Sequence, residues 1–232
     1  MPTSEAVRQM FGAIAPRYDL LNHLLSAGVD RRWRRRAVAL SRAAKGDPVL
    51  DVCCGTGDLS FEFARMGARV IGSDFVPQML VRADAKGARG GSGAERPRFV
   101  LADTLSLPFE RATFQVVSVG FGIRNVENLD AGLAEMARVL APGGRAVILE
   151  FTTPPNPAFR KLFGLYFHRV LPRVGNALAG VKTDAYTYLP NSVDAFPDAP
   201  QLAARMESAG FVHVKYEYLT FGIAAVHVGE VP

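Results

Sequence analysis

The chain has few of the residues that would mark a secreted or metal-binding protein. Its 232 residues include two cysteines and four histidines. Cys53 and Cys54 are adjacent, so they cannot form an ordinary structural disulfide, and the low count suits a reducing compartment. The scattered histidines offer too few ligands for a zinc site. We therefore expect no metal, and we expect the cysteines to be small residues in a tight turn.

Long apolar runs are also missing. No stretch approaches the roughly 18–20 consecutive apolar residues that cross a bilayer. The N-terminus lacks a basic start followed by an apolar segment, so it does not resemble a secretory signal. These absences predict a cytoplasmic protein, either free in solution or peripheral to the inner face of the cytoplasmic membrane. The 49% hydrophobic content is ample for the core of one α/β domain.

Positive charge is concentrated in two segments. Residues 1–45 carry a net charge of +6 and residues 154–182 a net charge of +5, so the remainder must be −6 to give the whole-chain value of +5. Two basic segments on an acidic body indicate a local anionic surface or ligand. The pattern argues against a nucleic-acid partner, because such binders are more uniformly basic.

The stretch from Val49 to Leu59 has the pattern of a ligand-binding turn. A short apolar strand is followed by the small residues Cys-Cys-Gly-Thr-Gly and then by a helix that starts near Asp58. A strand that turns tightly into a helix brings backbone N–H groups together at the helix N-terminus. The glycines allow close approach of a ligand to the backbone. A nucleotide-like ligand is therefore expected over this turn.

Strands and helices alternate through the middle of the chain. Strands are predicted at 49–52, 68–73, 98–102, 114–119 and 145–151, and helices at 77–88 and 128–140. Such alternation predicts a parallel sheet covered by helices on both faces, with ligands at the carboxyl ends of the strands. Residues 51–58, Asp74, Asp103 and Gly120 should meet there. A helix at 200–209 and a strand pair at 212–219 and 222–228 follow, with Gly222 serving the turn or a bulge.

Helices are expected in the two basic segments. In residues 4–45, Pro16 interrupts the helical pattern, Gly28 ends one helix and Asp30 should cap the next. The basic run 31–36 is predicted to be a solvated helix face with Trp33 packed inward, or else a contact for phosphates or anionic headgroups. Residues 152–197, rich in proline and aromatics, interrupt the alternation and are predicted to form a lid near the strand ends.

The acidic residues at the strand ends discriminate between nucleotide ligands. A dinucleotide fingerprint requires Gly-x-Gly-x-x-Gly, but the third glycine is absent after Gly57, which disfavours an NAD-linked oxidoreductase. Asp58 can accept a proton from an amino-bearing ligand, Asp74 can chelate ribose hydroxyls, and Asp103 can accept from an adenine amine. An amino acid, a ribose and an adenine without phosphate together describe S-adenosylmethionine.

Motifs along nearly the whole chain resemble the ubiquinone/menaquinone biosynthesis C-methyltransferases, a family of class I S-adenosylmethionine-dependent methyltransferases. The most discriminating is Phe-Gly-Ile-Arg-Asn-Val at 121–126. Others are Arg-Tyr-Asp-Leu-Leu-Asn at 17–22, the turn at 140–144, Leu-Pro-Arg-Val-Gly at 171–175, Tyr-Thr-Tyr-Leu at 186–189 and Leu-Thr-Phe-Gly-Ile at 219–223. The glycine turn alone would indicate only a nucleotide binder.

The resemblance implies a fold and a set of cofactor contacts. The fold is a Rossmann-like α/β domain with a seven-stranded, mostly parallel sheet, one C-terminal antiparallel strand and helices on both faces. Its expected parts are a helical cap (1–45), a cofactor-binding core (46–151), a substrate lid (152–197) and a C-terminal helix with a strand pair (198–232). S-adenosylmethionine is the expected cofactor. Its predicted contacts are Asp51, Gly55, Thr56, Gly57, Asp74, Phe75, Asp103, Thr104 and Gly120.

Two departures from the family leave the cofactor prediction intact. The family often has Asn-Ala where this chain has Asp103-Thr104, and the aspartate keeps the hydrogen-bond acceptor. It often has serine where this chain has Gly120, so only backbone contact remains at that position.

The resemblance also implies methylation of a ring carbon of a polyprenylated quinol. We expect Arg124 to stabilise the phenolate, directly or through a water that accepts the proton, and Asn125 to help orient the ring. His168, Tyr18, Tyr186 and Tyr188 are further candidates for the base or for substrate hydrogen bonds. If the chain is extended at 186–188, the two tyrosines there face opposite ways and only one should enter the pocket.

Several alternatives stay open at this stage. Arg124 could pair with Glu150 and only support the fold, and His168 could be a packing residue of the lid. The apolar face of the helical run 159–171 either packs into the domain or lines a prenyl-tail channel and rests on an anionic membrane. The substrate could be a naphthoquinol, a benzoquinol or another small phenol or lipid. A non-enzymatic scaffold subunit is a further alternative, and a homodimer is the default expectation.

Overall fold

A computed structural model describes residues 4–26, 28–89, 95–173 and 185–232. The helices are α1 Ser4–Ile14, α2 Tyr18–Leu25, α3 Val29–Ser41, α4 Asp58–Arg65, α5 Pro77–Arg89, α6 Leu129–Val139, α7 Pro157–Leu165, α8 Ala185–Ala195 and α9 Ala199–Ser208. The strands are β1 Pro48–Val52, β2 Arg69–Asp74, β3 Arg98–Leu101, β4 Phe114–Gly120, β5 Leu140–Phe151, β6 Val212–Leu219 and β7 Ala224–Glu230.

The seven strands form one sheet in the order β3-β2-β1-β4-β5-β7-β6. β1 pairs in parallel with β2 on one side and with β4 on the other. β7 is antiparallel to both of its neighbours. From β1 the sheet first grows to one side, through β2 and β3, and then to the other side, through β4 and β5. The strand order therefore reverses between β1 and β4, and α/β folds leave a crevice for ligands at such a switch point. The predicted mostly parallel sheet with one C-terminal antiparallel strand is confirmed.

Two apolar layers cover the sheet. On one face, Leu50, Val117 and Ile148 pack with Leu133 and Met136 of α6. On the other, strand residues such as Val49 and Leu149 pack against Phe63 of α4 and Trp33 of α3. Trp33 is buried, as the sequence predicts, and its indole N–H donates to the hydroxyl of Thr220 at 2.9 Å. This bond and the packing of Trp33 attach α3 to the face of the sheet that α4 also covers.

The third helix begins differently from the prediction. Gly28, with φ of 74°, precedes α3, which starts at Val29 and has no side-chain cap. The prediction that Asp30 caps this helix is therefore wrong. Asp30 is buried in the first turn, where its carboxylate accepts from Ser26 at 2.8 Å and from Arg34 one turn further on. The carboxylate binds one partner in α3 and one in the turn that precedes it, and no side chain caps the first backbone N–H groups of α3.

β5 is longer than predicted because a bulge extends it. The strand starts at Leu140, although 142–144 was expected to be a turn. Phe114 of β4 pairs with Leu140, and Val116 pairs with Arg145, so the residues between these two pairings bulge out of register. Gly143 has φ of 74°, a conformation that glycine adopts without strain. The predicted turn is thus accommodated inside a strand.

The predicted lid, residues 152–197, contains helices at 157–173 and 185–195, and its described ends at 152–156 and 196–197 are not helical. α7 continues into a π-helical turn, Tyr166–Val170. Residues 186 and 188 both lie in α8, so the extended-chain argument about their opposite directions does not apply. The side chain of Tyr186 lies outside the described part of the chain, as do residues 174–175 of the predicted Leu-Pro-Arg-Val-Gly motif. Gly222, with φ of 87°, lies in the connection between β6 and β7, as predicted.

Candidate active site

A cavity of about 910 Å³, counted out to its open mouth, surrounds the turn between β1 and α4. We call it the turn cavity. Eight of the nine predicted cofactor contacts line it: Asp51, Gly55, Thr56, Asp74, Phe75, Asp103, Thr104 and Gly120. Gly57 is not on the wall. Its φ of 83° lets the chain enter α4, and a Cβ there would come within 2.8 Å of the Phe99 ring. The structure thus brings the eight residues together, while their binding roles remain predictions.

Asp74 is fixed beside the glycine turn by backbone hydrogen bonds. Its Oδ2 accepts from the Gly55 N–H at 2.8 Å, and its Oδ1 accepts from the Val76 N–H at 2.9 Å. Each carboxylate oxygen has two lone pairs, so both can still accept from a ligand. Burial raises the pKa of Asp74 to about 6. The side chain is therefore a positioned acceptor that is charged at neutral pH.

The end of β3 supplies the other predicted acceptor. Asp103 is exposed, and its Oδ1 accepts from the Leu105 N–H at 2.9 Å, which fixes the bend after the strand. Thr104 is buried, with its hydroxyl 3.3 Å from the sulfur of Cys53. The exposed carboxylate can meet an exocyclic amine, but water competes for it.

Asp51 lies at the floor of the turn cavity. Its carboxylate accepts from Ser60 Oγ at 2.6 Å and from Ser118 Oγ at 2.9 Å, so it joins β1, α4 and β4. Complete burial raises its pKa to about 6. Because Asp51 is completely buried, it organises the turn and contributes its negative charge from below.

The charges of the turn cavity fit a cationic ligand without phosphates. Among the described residues, five carboxylates line it: Asp51, Asp58, Asp74, Asp103 and Glu127. The cationic side chain among those lining residues is Arg34. A diphosphate would be repelled by this set, whereas a sulfonium and an ammonium would be attracted. Ribose hydroxyls and an adenine amine are donors, and carboxylates are their acceptors. S-adenosylmethionine therefore fits the residues present.

A second cavity of about 1110 Å³, counted in the same way, opens from the first. We call it the aromatic cavity, because many of its lining side chains are rings: Phe11, Tyr18, Trp33, Phe121, Phe151, Phe163, Tyr166, Phe167 and Tyr188. Phe11, Tyr18, Arg34 and Phe121 line both cavities. The two spaces are therefore adjacent, with Tyr18 and Phe121 at their junction.

Arg124 lies in the wall of the aromatic cavity and forms an ion pair with a strand residue. Its Nη1 donates to Glu150 Oε1 at 2.6 Å and to the Phe121 carbonyl at 2.7 Å, and its Nε lies 3.3 Å from Ser192 Oγ. Both members of the pair are buried. Burial raises the pKa of Glu150, and the Arg124 charge offsets this only in part. The alternative that Arg124 pairs with Glu150 is therefore observed, and Arg124 lines the aromatic cavity at the same time.

The other catalytic candidates are not all together. Asn125 lines the turn cavity, and its Oδ1 accepts from the Tyr188 hydroxyl at 2.9 Å, which links it to the aromatic cavity. His168 is exposed, lies 3.4 Å from Asp194 Oδ2 and lines neither cavity. The structure therefore does not support a role for His168 as a base. The side chain of Tyr186 is outside the described residues.

The sequence does not single out two charged residues of the turn cavity, Arg34 and Glu127. Arg34 belongs to the basic run 31–36, for which the sequence predicts a solvated face or a contact with phosphates or anionic headgroups, yet it is 8% exposed and lines both cavities. A signal was present, because Asp30 and Arg34 are four residues apart in a predicted helix. That spacing distinguishes Arg34 from its neighbours Arg35 and Arg36, which are exposed.

The strand order, the acidic strand ends and a cavity whose charges disfavour phosphates together define a class I S-adenosylmethionine-dependent methyltransferase. The sequence matches the ubiE/COQ5 methyltransferase family over residues 2–230, and the chain belongs to that family.

Relatives agree with the family, and a solved structure agrees with the fold. The chain is 50% identical to "Demethylmenaquinone methyltransferase" of Thermus thermophilus, with 96% of this chain and all of that protein covered. It is 47% identical to "Ubiquinone/menaquinone biosynthesis C-methyltransferase UbiE" of Geobacter sulfurreducens, covering 97% of this chain and 88% of that protein. The structure of a SAM-dependent methyltransferase from Thermotoga maritima superposes with a TM-score of 0.68 at 15% identity, covering 97% and 99% of the two chains. That last likeness shows the fold alone.

Proposed function

We propose that the protein transfers a methyl group from S-adenosylmethionine to a ring carbon of a polyprenylated quinol, converting demethylmenaquinol to menaquinol. The aromatic cavity is the observation that carries this proposal. It is walled by rings and adjoins the turn cavity, as a site for a flat aromatic ring beside the cofactor must be. Similarity to proteins named demethylmenaquinone methyltransferase supports the naphthoquinol as substrate.

The chemistry requires that a ring carbon become nucleophilic. Loss of the proton from the neighbouring hydroxyl pushes electron density onto that carbon. When bound, the cofactor supplies an electrophilic methyl group. The protein must position the ring, exclude water and stabilise the phenolate, and the carbon loses its own proton after the new bond has formed.

Arg124 is placed to stabilise the phenolate. Its Nη1 is occupied by Glu150 and the Phe121 carbonyl, while Nη2 has no acceptor within hydrogen-bonding distance among the described residues. Since Arg124 lines the aromatic cavity, Nη2 can donate to the quinol oxygen or to a water that receives its proton. The Tyr188–Asn125 hydrogen bond fixes the amide of Asn125, which can then donate to the ring oxygen.

A benzoquinol is the second candidate substrate, because one relative is named for both ubiquinone and menaquinone biosynthesis. The deciding experiment incubates the purified protein alone with labelled S-adenosylmethionine and short-chain analogues of reduced demethylmenaquinone and of the benzoquinol in parallel. We expect label in the naphthoquinol ring carbon. Faster labelling of the benzoquinol would reverse the substrate assignment, and no transfer to either would favour another phenolic substrate or a scaffold role.

The tail of such a substrate must leave the aromatic cavity. Tyr166 lines the cavity and is 39% exposed, so it reaches from the interior to the surface. Thr220 also lines the cavity, and the next residue, Phe221, is 78% exposed. These two positions mark an exit between α7 and the β6–β7 connection. Phe159 and Phe221 are in contact across it, with ring centroids 5.4 Å apart.

The outer surface beside this exit combines apolar and basic side chains. We define the lid patch as Lys161, Leu162, Leu165, Arg169, Arg173 and Phe221. Leu162 and Leu165 are 67% and 52% exposed, and the three cations form no ion pair with a described acidic residue. Exposed leucines flanked by cations match the headgroup region of an anionic bilayer. No helix among the described residues is long and apolar enough to span a membrane. We propose peripheral binding through this patch.

Vesicle binding tests the lid patch. The protein should co-sediment with vesicles containing phosphatidylglycerol more strongly than with purely zwitterionic ones, and Leu165→Ser should weaken this binding several-fold because it removes inserted apolar area. Val81→Ser on α5 is the matched control, since Val81 is 68% exposed and lies outside the patch. Equal effects of the two substitutions, or no preference for anionic vesicles, would remove the membrane proposal without affecting the methyl-transfer proposal.

A further inference from the structure

Arg34 occupies a position that its neighbours in the basic run do not share. It lies in the middle of α3, is 8% exposed and lines the turn cavity. Arg35, the next residue, is exposed and donates to the carbonyl of Arg31 at 3.4 Å. A long cation is buried only when specific partners hold it, so the environment of Arg34 indicates a defined task.

Two carboxylates hold the guanidinium in place. Its Nη1 donates to Asp30 Oδ2, and its Nη2 is 3.5 Å from Asp58 Oδ2. His23 connects the same two acids, with its ring nitrogens 2.7 Å from Asp30 and 3.6 Å from Asp58. Burial alone would raise the pKa of Asp58, but the charges of Arg34 and Lys86 outweigh it and hold this pKa below its usual value. Asp58 is therefore an anion beside a fixed cation.

The guanidinium keeps donors for a ligand. An arginine has five N–H groups. Among the described residues, Asp30 is the only acceptor that forms a hydrogen bond with the Arg34 guanidinium. Its carbon Cζ also lies 5.8 Å from the ring centroid of Phe121, at the junction of the two cavities. The remaining N–H groups are thus available near the place where the sulfur end of the cofactor must meet the substrate.

The charges at this wall complement an amino acid. Among the described residues that line the turn cavity, Arg34 carries the positive charge, and Asp58 supplies a negative charge 3.5 Å away. The amino acid portion of S-adenosylmethionine has one carboxylate, which is the only anionic group of the molecule, and one ammonium. A carboxylate prefers the planar fork of an arginine to any other partner.

We propose that Arg34 binds the carboxylate of the cofactor's amino acid portion and that Asp58, which also positions Arg34, receives the ammonium. This role concerns the cofactor alone and does not depend on the identity of the quinol. Lys86 supports the arrangement from outside the cavity: its Nζ donates to Asp58 Oδ1 at 2.7 Å and pairs with Asp19 Oδ2 at 2.7 Å. Lys86 thereby adds a second positive charge beside Asp58, the carboxylate that also faces Arg34.

Ligand affinity measured by calorimetry, without quinol, tests this proposal. The probes are S-adenosylhomocysteine and its decarboxylated analogue, which keeps the adenosine, the sulfur and the amine. The parent should prefer S-adenosylhomocysteine by about 10- to 100-fold, the ratio expected for a hydrogen bond between charged groups. In Arg34→Gln this preference should fall to near one, because only the carboxylate-bearing ligand loses affinity. Arg35→Gln is the matched control and should keep the parental preference.

The comparison separates binding from support of the fold. If Arg34 only holds α3 in place, Arg34→Gln should weaken both ligands by the same factor, and that result would overturn the proposal. An unchanged preference would overturn it as well. Should Arg34→Gln fail to fold, Arg34→Lys keeps the charge but removes the fork, and the expected result is a preference reduced to a few-fold. A lysine variant with the full parental preference would then contradict the assignment.

Discussion

Replacing both Arg124 and Glu150 with leucine is expected to leave a protein that is more stable than Glu150→Leu alone and that transfers methyl groups about 100- to 1000-fold more slowly than the parent. The stability expectation follows from the burial of the pair. Exchanging a buried ion pair for apolar side chains of similar volume is often neutral or stabilising, because two charges no longer have to be desolvated. The expected loss of rate is the loss usually seen when an enzyme loses one hydrogen-bond donor to a developing oxyanion, here the donor Arg124 and the phenolate.

The single variants should behave differently from the double variant. Glu150→Leu leaves the Arg124 guanidinium buried without its carboxylate, which should cost about 3–5 kcal/mol of unfolding free energy. Arg124→Leu leaves Glu150, whose pKa is already raised by burial and rises further without the arginine. That carboxyl can take up a proton. A raised pKa in the folded state means that stability is kept at low pH and lost as the pH rises, so Arg124→Leu should be less stable at pH 8 than at pH 6.

Denaturant unfolding and single-turnover methyl transfer, measured on all three variants, decide between the two roles of Arg124. Removal of the exposed pair Arg205–Asp130 with alanines is the control, and it should change neither quantity appreciably. A stable double variant with parental turnover would show that Arg124 only supports the fold. A double variant as unstable as Glu150→Leu would contradict the energetic argument instead.

The architecture could be predicted because local patterns and sheet topology agree. Apolar β-branched segments alternate with amphipathic helices, and their order places Asp51, Asp74 and Asp103 at one edge whatever the packing details. The strand ends therefore converge as expected. The bulge in β5 could not be predicted, because it depends on the pairing of Phe114 with Leu140, a contact between distant residues.

Residues were misjudged where side-chain direction matters more than spacing. Arg34 and Arg35 have the same chemistry, yet one faces the cavities and the other the solvent, since successive residues on a helix point about 100° apart. His168 lies on a helix that borders the aromatic cavity, but it points outward, while Phe167 points inward. Composition identified the segment, and only the orientation of α7 and its π-helical turn determined which side chain enters the site.

Asp74→Asn is expected to weaken the binding of S-adenosylhomocysteine by about 100-fold and to remove part of its pH dependence. The carboxylate accepts from the N–H groups of Gly55 and Val76 through different oxygens. An asparagine has one carbonyl oxygen, so its amide nitrogen must face one of these donors. The ribose hydroxyls would also lose a charged acceptor, and each such hydrogen bond contributes about 1.5–3 kcal/mol. Asp103→Asn is the comparison and should cost at most about tenfold, because Asp103 is exposed to competing water.

The pH dependence separates the charge of Asp74 from its shape. Its pKa is about 6 in the free protein, and hydroxyl donors prefer the ionised form, so affinity should rise with pH up to about 6 and level off above. Asp51, with a pKa also about 6, contributes to the same rise and is unchanged in the variant. Calorimetry at pH 5.5 in two buffers of different ionisation enthalpy should therefore show fewer protons released by Asp74→Asn than by the parent. Equal proton release would mean that Asp74 does not meet the ligand as a carboxylate, and its assignment to the ribose would fall.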